Sequence, residues 1–404
     1  MATHTNRMQI LEQAKKLQPT IANYRQYLHE HAEVGFDLPK TADFVEKTLQ
    51  AMGYTPKRIA KNCLLALVGK PTKKGAFLFR ADMDALPIAE KSGEKFACKT
   101  GNMHACGHDM HTAMLLGVAK LLKDNESALQ GQIKLLFQPA EEILQGAKLA
   151  VDAGALENVC GAVMIHVTVD TPLKSGTLVV ASGGVSAPAA DYFKVEITGK
   201  SCHGSAPWNG VDALNIGAHT LVGLQSISAR EIPLATPATL SVGTFQAGTV
   251  GNAIADKAVF RGTLRAFDED MREKIKKRIR EISQNTAKAF GGKAKFEIES
   301  GCPTLVNDSA LSAFIEKQAR ALLGEKSVYT SAQLSGGETA RRNGGSEDFA
   351  YISHQVPSVM LALSAGATNE GYVYPLHHAK VRFNDSVLYI GSAVLAHTAL
   401  TMPL

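Results

Sequence analysis

Three short apolar runs, separated by helix-like segments, constrain the fold of this chain most strongly. They are AFLFR at 76–80, IKLLF at 133–137 and AVMI at 162–165, and their composition favours buried strands. Strands that alternate with amphipathic helices are typical of an α/β domain with a largely parallel sheet. Because 404 residues exceed what one hydrophobic core usually organises, we predict an α/β chain of two domains.

Each of the three predicted strands runs into polar side chains. Asp82 and Asp84 follow the first, Glu141 and Glu142 follow the second, and His166 directly follows the third. In open α/β sheets, ligands bind beyond the carboxyl ends of the strands. We therefore expect these side chains to meet at one edge of the sheet and to form part of a site.

The segment MHACGHDMH adds one cysteine, three histidines and an aspartate to this expectation. Thiolate and imidazole groups bind borderline-soft divalent metals. Cys106 and His108 are two residues apart in a glycine-containing loop, so both can face one ion. His104 and His111 are expected to be supporting groups or ordinary polar residues, and Asp109 is expected to cap the helix that follows. The alternative is a buried cysteine beside a histidine at a helix start.

The adjacent carboxylates Glu141 and Glu142 could take two different roles in hydrolysis. Hydrolysis of an amide by a metal site needs an acidified water and a base that takes its proton. One glutamate can bind metal while the other moves the proton. An adjacent pair of this kind is also common at a solvated helix start, and the sequence alone leaves both interpretations open.

Composition argues against several other classes of protein. The net charge of +5 is small for this length, and no apolar run approaches twenty residues, so we expect neither a nucleic-acid partner nor a membrane span. The six cysteines contain no CxxC motif and suggest no disulfide framework. With an N-terminus that lacks an apolar signal region, the prediction is a cytoplasmic protein.

The middle of the chain changes character after a stretch rich in Gly, Ser, Ala and Pro at 181–190. The pattern that follows predicts strand, helix, strand, strand and helix, which indicates a ferredoxin-like or similar α+β insert. We predict a discontinuous first domain formed by residues 1–186 and 296–404, with residues 187–295 as a separate small domain.

Several blocks occur in an order that resembles a known family: RQYLHEHAEVGF, RADMDALPI, MHACGHDMHT, FQPAEE, IHVTVDTPLKSG, HGSAP, GTLRAF, GSEDF and LHHAKVRFND. The chain resembles the aminoacylase and carboxypeptidase family of co-catalytic metallohydrolases. Within that family it is similar to the N-acyl-amino-acid amidohydrolase branch, which includes hippurate hydrolases and plant indole-acetyl-amino-acid hydrolases. The resemblance covers nearly the whole chain.

The resemblance implies a site for two divalent ions, with Zn²⁺ or Mn²⁺ as the leading candidates and Co²⁺ or Ni²⁺ as alternatives. It implies that Glu141 is the general base. His378, next to the last implied ligand, is expected to be a surface residue. The carboxylates expected to support the site are Asp82, Asp84, Glu347 and Asp348. The implied metal ligands are Cys106, His108, Glu142, His166 and His377.

The resemblance also implies that residues 1–186 and 296–404 form the catalytic domain and that the insert at 187–295 is a lid and dimerisation domain. It implies roles for three residues of the insert. His203 would stabilise the transition state, while Asn252 and Arg265 would bind the substrate carboxylate, often across a subunit interface. A homodimer or homotetramer that hydrolyses a small N-acyl amino acid is therefore expected. The family's HAAxP block reads HGSAP here and its NVIP block reads NAIA, which leaves the specificity undefined.

Three alternative functions remain open at this point. The first is a small-peptide carboxypeptidase or dipeptidase of the same fold. The second is a cysteine hydrolase that uses Cys106 as its nucleophile and needs no metal. The third is a catalytically idle binding protein, although the chain keeps both the candidate base and a full set of candidate ligands.

Overall fold

The computed structural model describes residues 2–335 and 344–404, with side chains described from residue 9 onward. The chain divides into two compact units. Within the described residues, the larger unit comprises 2–186, 306–335 and 348–404, and the smaller unit comprises 187–305 and 344–347. Each unit has its own cluster of buried hydrophobic side chains.

Helices contribute to both units. Among the described residues, no helix combines the length and the apolar character needed to cross a membrane. The helices are α1 Ala2–Glu30, α2 Pro39–Ala51, α3 His108–Asp124, α4 Gly146–Asp152, α5 Ala213–Ser226, α6 Glu269–Ala289, α7 Ser309–Leu323, α8 Ser331–Leu334, α9 Ala350–Ser353 and α10 Leu388–Thr401.

The strands form one large sheet, one smaller sheet and one short pair. They are β1 Lys57–Ala60, β2 Cys63–Val68, β3 Ala76–Asp82, β4 Gln132–Gln138, β5 Val159–Thr168, β6 Leu178–Val180, β7 Gly184–Ala187, β8 Ala189–Thr198, β9 Ala238–Ala247, β10 Lys257–Ala266, β11 Lys293–Cys302, β12 Leu305–Asn307, β13 Val328–Thr330 and β14 Ser358–Ser364.

The large sheet has the strand order β1-β2-β4-β3-β5-β14-β6-β13. Its central strands β4, β3, β5 and β14 run parallel to one another. The predicted runs at 76–80, 133–137 and 162–165 lie within β3, β4 and β5, so the predicted parallel α/β sheet is confirmed. His166 is still on β5 rather than after it, because that strand continues to Thr168.

The smaller unit follows the order β8-α5-β9-β10-α6-β11, and its sheet has the order β11-β8-β10-β9. All of its strand pairs are antiparallel, which is the ferredoxin-like arrangement. The predicted boundary at residue 295 was wrong, since it falls inside β11. That strand pairs with β8 from Lys293 to Cys302. Most of its side chains are at least partly exposed, so it lacks the apolar run expected of a buried strand.

A buried cluster of charges joins α1 to the first turn of α3. Arg25 Nε lies 2.7 Å from Asp109 Oδ2, and Arg25 Nη1 lies 2.9 Å from Asp385 Oδ1. His29 bridges Asp109 at 2.8 Å and Glu90 at 3.0 Å. The prediction that Asp109 caps α3 was wrong: Gly107 occupies the N-cap position, and the Asp109 carboxylate binds Arg25 and His29 instead.

The titration of His29 gives a testable pH dependence of stability. Burial lowers the pKa of His29, but hydrogen bonds and charges from Asp109, and then from Glu90, raise it from 6.5 to about 9 overall. Since the folded pKa exceeds the unfolded value, this stabilisation is complete below pH 6.5 and is lost as the pH rises through about 9. We expect the free energy of unfolding of metal-free protein, measured with urea, to fall across this interval. The variant His29→Gln should show a shallower decline, and equal slopes would contradict the assignment.

Candidate metal centre and active site

The five side chains implied as metal ligands converge at the carboxyl edge of the large sheet. The Cys106 sulfur lies 3.5 Å from His166 Nε2 and 3.3 Å from His377 Nε2. Glu142 lies 3.6 Å from His377 Nε2 and 3.9 Å from His108 Nε2. They come from the loop before α3, the start of α3, the turn after β4, strand β5 and the loop before α10, so residues far apart in sequence share one small volume.

These spacings suit a shared metal ion. Donor atoms bound tetrahedrally at zinc distances lie about 3.3–3.8 Å from one another. Two groups of three residues, Cys106 with His108 and His166, and Cys106 with Glu142 and His377, each place their donor atoms within 4.8 Å of one another. Because the two groups share Cys106, the arrangement fits two neighbouring ions.

Two of the histidine rings are already oriented for ligation. His108 Nδ1 donates to the carbonyl oxygen of Asp84 at 2.9 Å, and His166 Nδ1 donates to the carbonyl oxygen of Val167 at 2.7 Å. Each ring therefore turns its Nε2 toward the cluster, the orientation in which a metal-binding histidine is held by a contact at its other nitrogen. The Nε2 atom of His108 is buried and has no hydrogen-bond partner within the described residues, so a metal ion would satisfy it.

The electrostatics of the cluster also favour a bound cation. Burial raises the pKa of the Cys106 thiol above its usual range, which disfavours a thiolate without a compensating charge. Burial lowers the pKa of His108, but the Asp82 carboxylate 3.8 Å away raises it well above its usual value overall. Glu141 lies 3.9 Å from the same ring. A divalent ion would stabilise the thiolate and offset the carboxylates, which weighs against a metal-free cysteine nucleophile.

The backbone around the site is unusually constrained. Gly107 has φ 83°, and a Cβ there would lie 2.3 Å from a methyl group of Val167, so only glycine fits between Cys106 and His108. Ala140 and Leu144, in the turn that carries the two glutamates, have φ values of 60° and 57°. His377 itself has φ 64°. Non-glycine residues in this region cost about 1–3 kcal/mol each and concentrate at functional sites.

Asp84 fixes the turn that carries Glu141 and Glu142. Its two carboxylate oxygens accept the backbone N–H groups of Glu141 at 3.0 Å and Glu142 at 3.1 Å. The backbone N–H of Asp348 lies 3.4 Å from Glu141 Oε1. Asp84 and Asp348 thus hold this turn by hydrogen bonds, and Glu141 lies beside the cluster of candidate ligands. Their roles in catalysis stay predictions.

The two adjacent histidines near the C-terminus have different environments. His377 Nε2 faces Cys106 and Glu142 at the distances given above. His378 stacks on Tyr374 with a ring separation of 4.6 Å, and its Nδ1 accepts the backbone N–H of Lys380 at 3.1 Å. The geometry therefore favours His377 over His378 as a ligand.

The smaller unit brings His203 and Asn252 together. The N–H of Gly204 donates to the carbonyl of Asn252 at 2.7 Å, and a Cβ at Gly204 would lie only 2.9 Å from that oxygen. His203 Nδ1 lies 2.7 Å from the hydroxyl oxygen of Ser205 and 3.2 Å from the backbone nitrogen of the same residue. Both contacts use Nδ1, so a ligand would meet the ring at Nε2.

Arg265 lies at the opposite end of β10 from Asn252. Asn252 precedes the strand, whereas Arg265 is its penultimate residue, next to the hydroxyl of Tyr192 at 3.2 Å. At about 3.3 Å per residue, the strand separates them by more than about 25 Å. Arg265 therefore does not converge with His203 and Asn252 within this unit, and the roles implied for the three residues stay predictions.

The comparison with known families agrees with this geometry. The model of peptidase family M20/M25/M40 matches residues 78–401. The chain belongs to this family. The resemblance inferred from the sequence blocks is therefore confirmed, and the chain is a metal-dependent hydrolase that acts on amide bonds.

Individual M20 relatives match over most of their length. N-acetyl-L-cysteine deacetylase of Bacillus subtilis is 36% identical over 385 residues, covering 95% of this chain and 88% of the relative. N-acyl-L-amino acid amidohydrolase of Geobacillus stearothermophilus is 38% identical over 288 residues, which cover 70% of this chain and 77% of the relative. A similar solved structure is the crystal structure of the YXEP protein of Bacillus subtilis, described as a dinuclear metal-binding peptidase of the M20 family. It matches with a TM-score of 0.75 at 29% identity, and the match covers 96% of this chain and 98% of that protein.

Sequence reasoning missed one residue of this M20 site. Arg80 is fully buried between two carboxylates, Asp82 and Asp348, at 2.6 Å from each. The sequence did contain a signal of a buried ion pair. Arg80 lies inside an apolar strand run and precedes Asp82 by two residues. Its second partner lies 268 residues along the chain, so the sequence pattern alone could not identify the pair.

Proposed function

We propose that this chain hydrolyses N-acyl amino acids to a carboxylic acid and a free amino acid, using two divalent ions, Zn²⁺ or Mn²⁺. The observation that carries the proposal is the convergence of five candidate ligands beside a sixth side chain, the Glu141 carboxylate. The proposed ligands are Cys106, His108, Glu142, His166 and His377, and the proposed base is Glu141. The names of the N-acyl-specific relatives support this substrate class.

The proposed mechanism assigns one task to each group. When bound, the divalent pair would polarise the scissile carbonyl and lower the pKa of a bound water. Glu141 would take a proton from the attacking water and deliver it to the leaving nitrogen. His203 donates from Nε2 to the oxyanion, and Arg265 or Asn252 holds the substrate carboxylate, for which arginine offers a bidentate pair.

A homodimer accounts for the separation of these groups. Since Arg265 and Asn252 lie at opposite ends of β10, one small substrate contacts both only if two chains contribute. In the smaller unit, β9 is an edge strand, and the nearby helix α5 exposes Leu214 and Val222, the latter 72% accessible. An open strand edge beside exposed apolar side chains fits pairing with a second copy. A homotetramer built from such dimers is the alternative.

The cysteines support a cytoplasmic location for the proposed enzyme. All six are free in the structure, and four of them are buried. Free thiols without disulfides are typical of reducing compartments. Neither a nucleic acid nor a membrane has a part in the proposed reaction.

The test measures amine release with metal-stripped and metal-replenished protein. The panel contains N-acetyl, N-benzoyl and longer N-acyl amino acids together with dipeptides. We expect stripping to reduce release by about 100-fold or more and Zn²⁺ or Mn²⁺ to restore it. Release only from dipeptides would favour the peptidase alternative. Metal-independent activity that alkylation abolishes would favour the cysteine mechanism, and no release with metal bound would favour a binding protein.

A further inference from the structure

We propose that Arg80 is the positioning residue of this site and that its guanidinium links the histidine ligands to the general base through two buried carboxylates. Arg80 lies on β3 and is 2% exposed. Its Nη1 lies 2.6 Å from Asp82 Oδ2 and its Nη2 lies 2.6 Å from Asp348 Oδ1. The assignment of the base rests on the proposed function, whereas the contacts of Arg80 do not.

One arm of this arrangement leads to the histidine ligands. Asp82 Oδ1 accepts a hydrogen bond from His111 Nδ1 at 2.6 Å. The other ring nitrogen of His111 accepts the backbone N–H of Val167 at 2.8 Å. Val167 follows His166 on β5, so the chain of hydrogen bonds from Arg80 ends at the backbone that carries a proposed ligand.

The other arm leads to the proposed base. The Asp348 carboxylate accepts the backbone N–H of Ala147 at 2.7 Å and the side-chain amide of Gln138 at 2.9 Å. The backbone N–H of Asp348 lies 3.4 Å from Glu141 Oε1. Ala147 and Gln138 lie at the two ends of the turn that carries Glu141, so Asp348 holds that turn as well as the glutamate itself.

Arginine is suited to this position in a way that lysine is not. Asp82 and Asp348 are both fully buried, and burying unpaired carboxylates is costly. The planar guanidinium offers five donors in a fixed geometry, and here it also donates from Nε to Gln138 Oε1 at 2.8 Å. An ammonium group supplies a charge at one point and cannot reach the two carboxylates and the amide in the same geometry.

The experiment compares Arg80→Lys and Arg80→Met with a matched control, Arg272→Met, in protein loaded with Co²⁺. Arg272 is also a buried arginine with two carboxylate partners, Asp191 at 2.7 Å and Glu269 at 2.9 Å, but it lies in the smaller unit. We expect Arg80→Lys to bind as much Co²⁺ as wild type with an altered visible absorption spectrum. Its kcat should fall about 10- to 100-fold while KM changes less than about threefold. Arg272→Met should lower the thermal midpoint and leave the spectrum unchanged.

Unchanged spectrum and kcat in Arg80→Lys would overturn the proposal, as would an equal spectral change in Arg272→Met. If the Arg80 variants do not fold, His111→Gln tests one arm alone, and an unaltered Co²⁺ spectrum in that variant overturns the linkage. The spectrum is read without turnover. If the wild-type protein hydrolyses no amide, the proposed function is refuted. The Co²⁺ spectra of the variants still test the positioning role of Arg80 in that case.

Discussion

Replacing Glu141 with glutamine is expected to lower kcat by about 10³- to 10⁵-fold while the metal content stays at the wild-type level. The amide keeps the size of the side chain but cannot accept the proton of the attacking water. Glu141 is nearly buried and lies 3.9 Å from His108, so no bulk water replaces it easily. Stopped assays of amine release, with metal analysis of the same sample, measure both quantities.

Two further variants make the result specific. Glu142→Gln should lose bound metal as well as activity, because Glu142 is a proposed ligand. Glu325→Gln, on a side chain that is 79% exposed in the same unit, should behave as wild type. Near-normal turnover of a metal-replete Glu141→Gln protein would remove Glu141 from the role of base.

Mixing two inactive variants is expected to restore activity if substrate groups come from the partner chain. Glu141→Gln and His203→Ala, each inactive alone, form heterodimers in which one of the two sites contains both intact residues. For random assembly, about a quarter of wild-type activity should return. Co-expression with two different affinity tags allows the heterodimer to be purified and assayed directly.

A second mixture provides the control for this experiment. His203 and Asn252 are neighbours in the smaller unit, so His203→Ala and Asn252→Ala damage the same side of the site. Their heterodimer should recover no activity. If purified heterodimers of Glu141→Gln with His203→Ala are also inactive, the assignment of His203 to the partner's site is wrong.

The catalytic half of this protein could be predicted well because its signals are local. The apolar runs of β3, β4 and β5 are buried on both faces, and such strands stand out in a sequence. Parallel strands then bring their carboxyl ends to one edge, which places Asp84, the glutamate pair and His166 close together. The spacing of these residues in the sequence does not show that they are neighbours. The rule that ligands bind at the carboxyl ends of parallel strands does. The candidate ligand His377 was predicted only from the resemblance.

The errors came from features that depend on distant partners. Asp109 looked like a helix cap because its pairing with Arg25, 84 residues away, leaves no trace in the local sequence. Strand β11 was missed because an exposed strand lacks an apolar run and is defined by its pairing with β8. The role of Arg80 likewise depends on a carboxylate from the last part of the chain.

The position of β14 in the large sheet has a consequence for biosynthesis. β14 lies between β5 and β6, although it follows β6 by more than 170 residues in the chain. While the ribosome is still translating the smaller unit, β5 therefore presents an open edge of hydrogen-bonding groups and apolar side chains. Nascent chains at this stage are the species most exposed to aggregation, and a chaperone that shields this edge would raise the yield of folded enzyme.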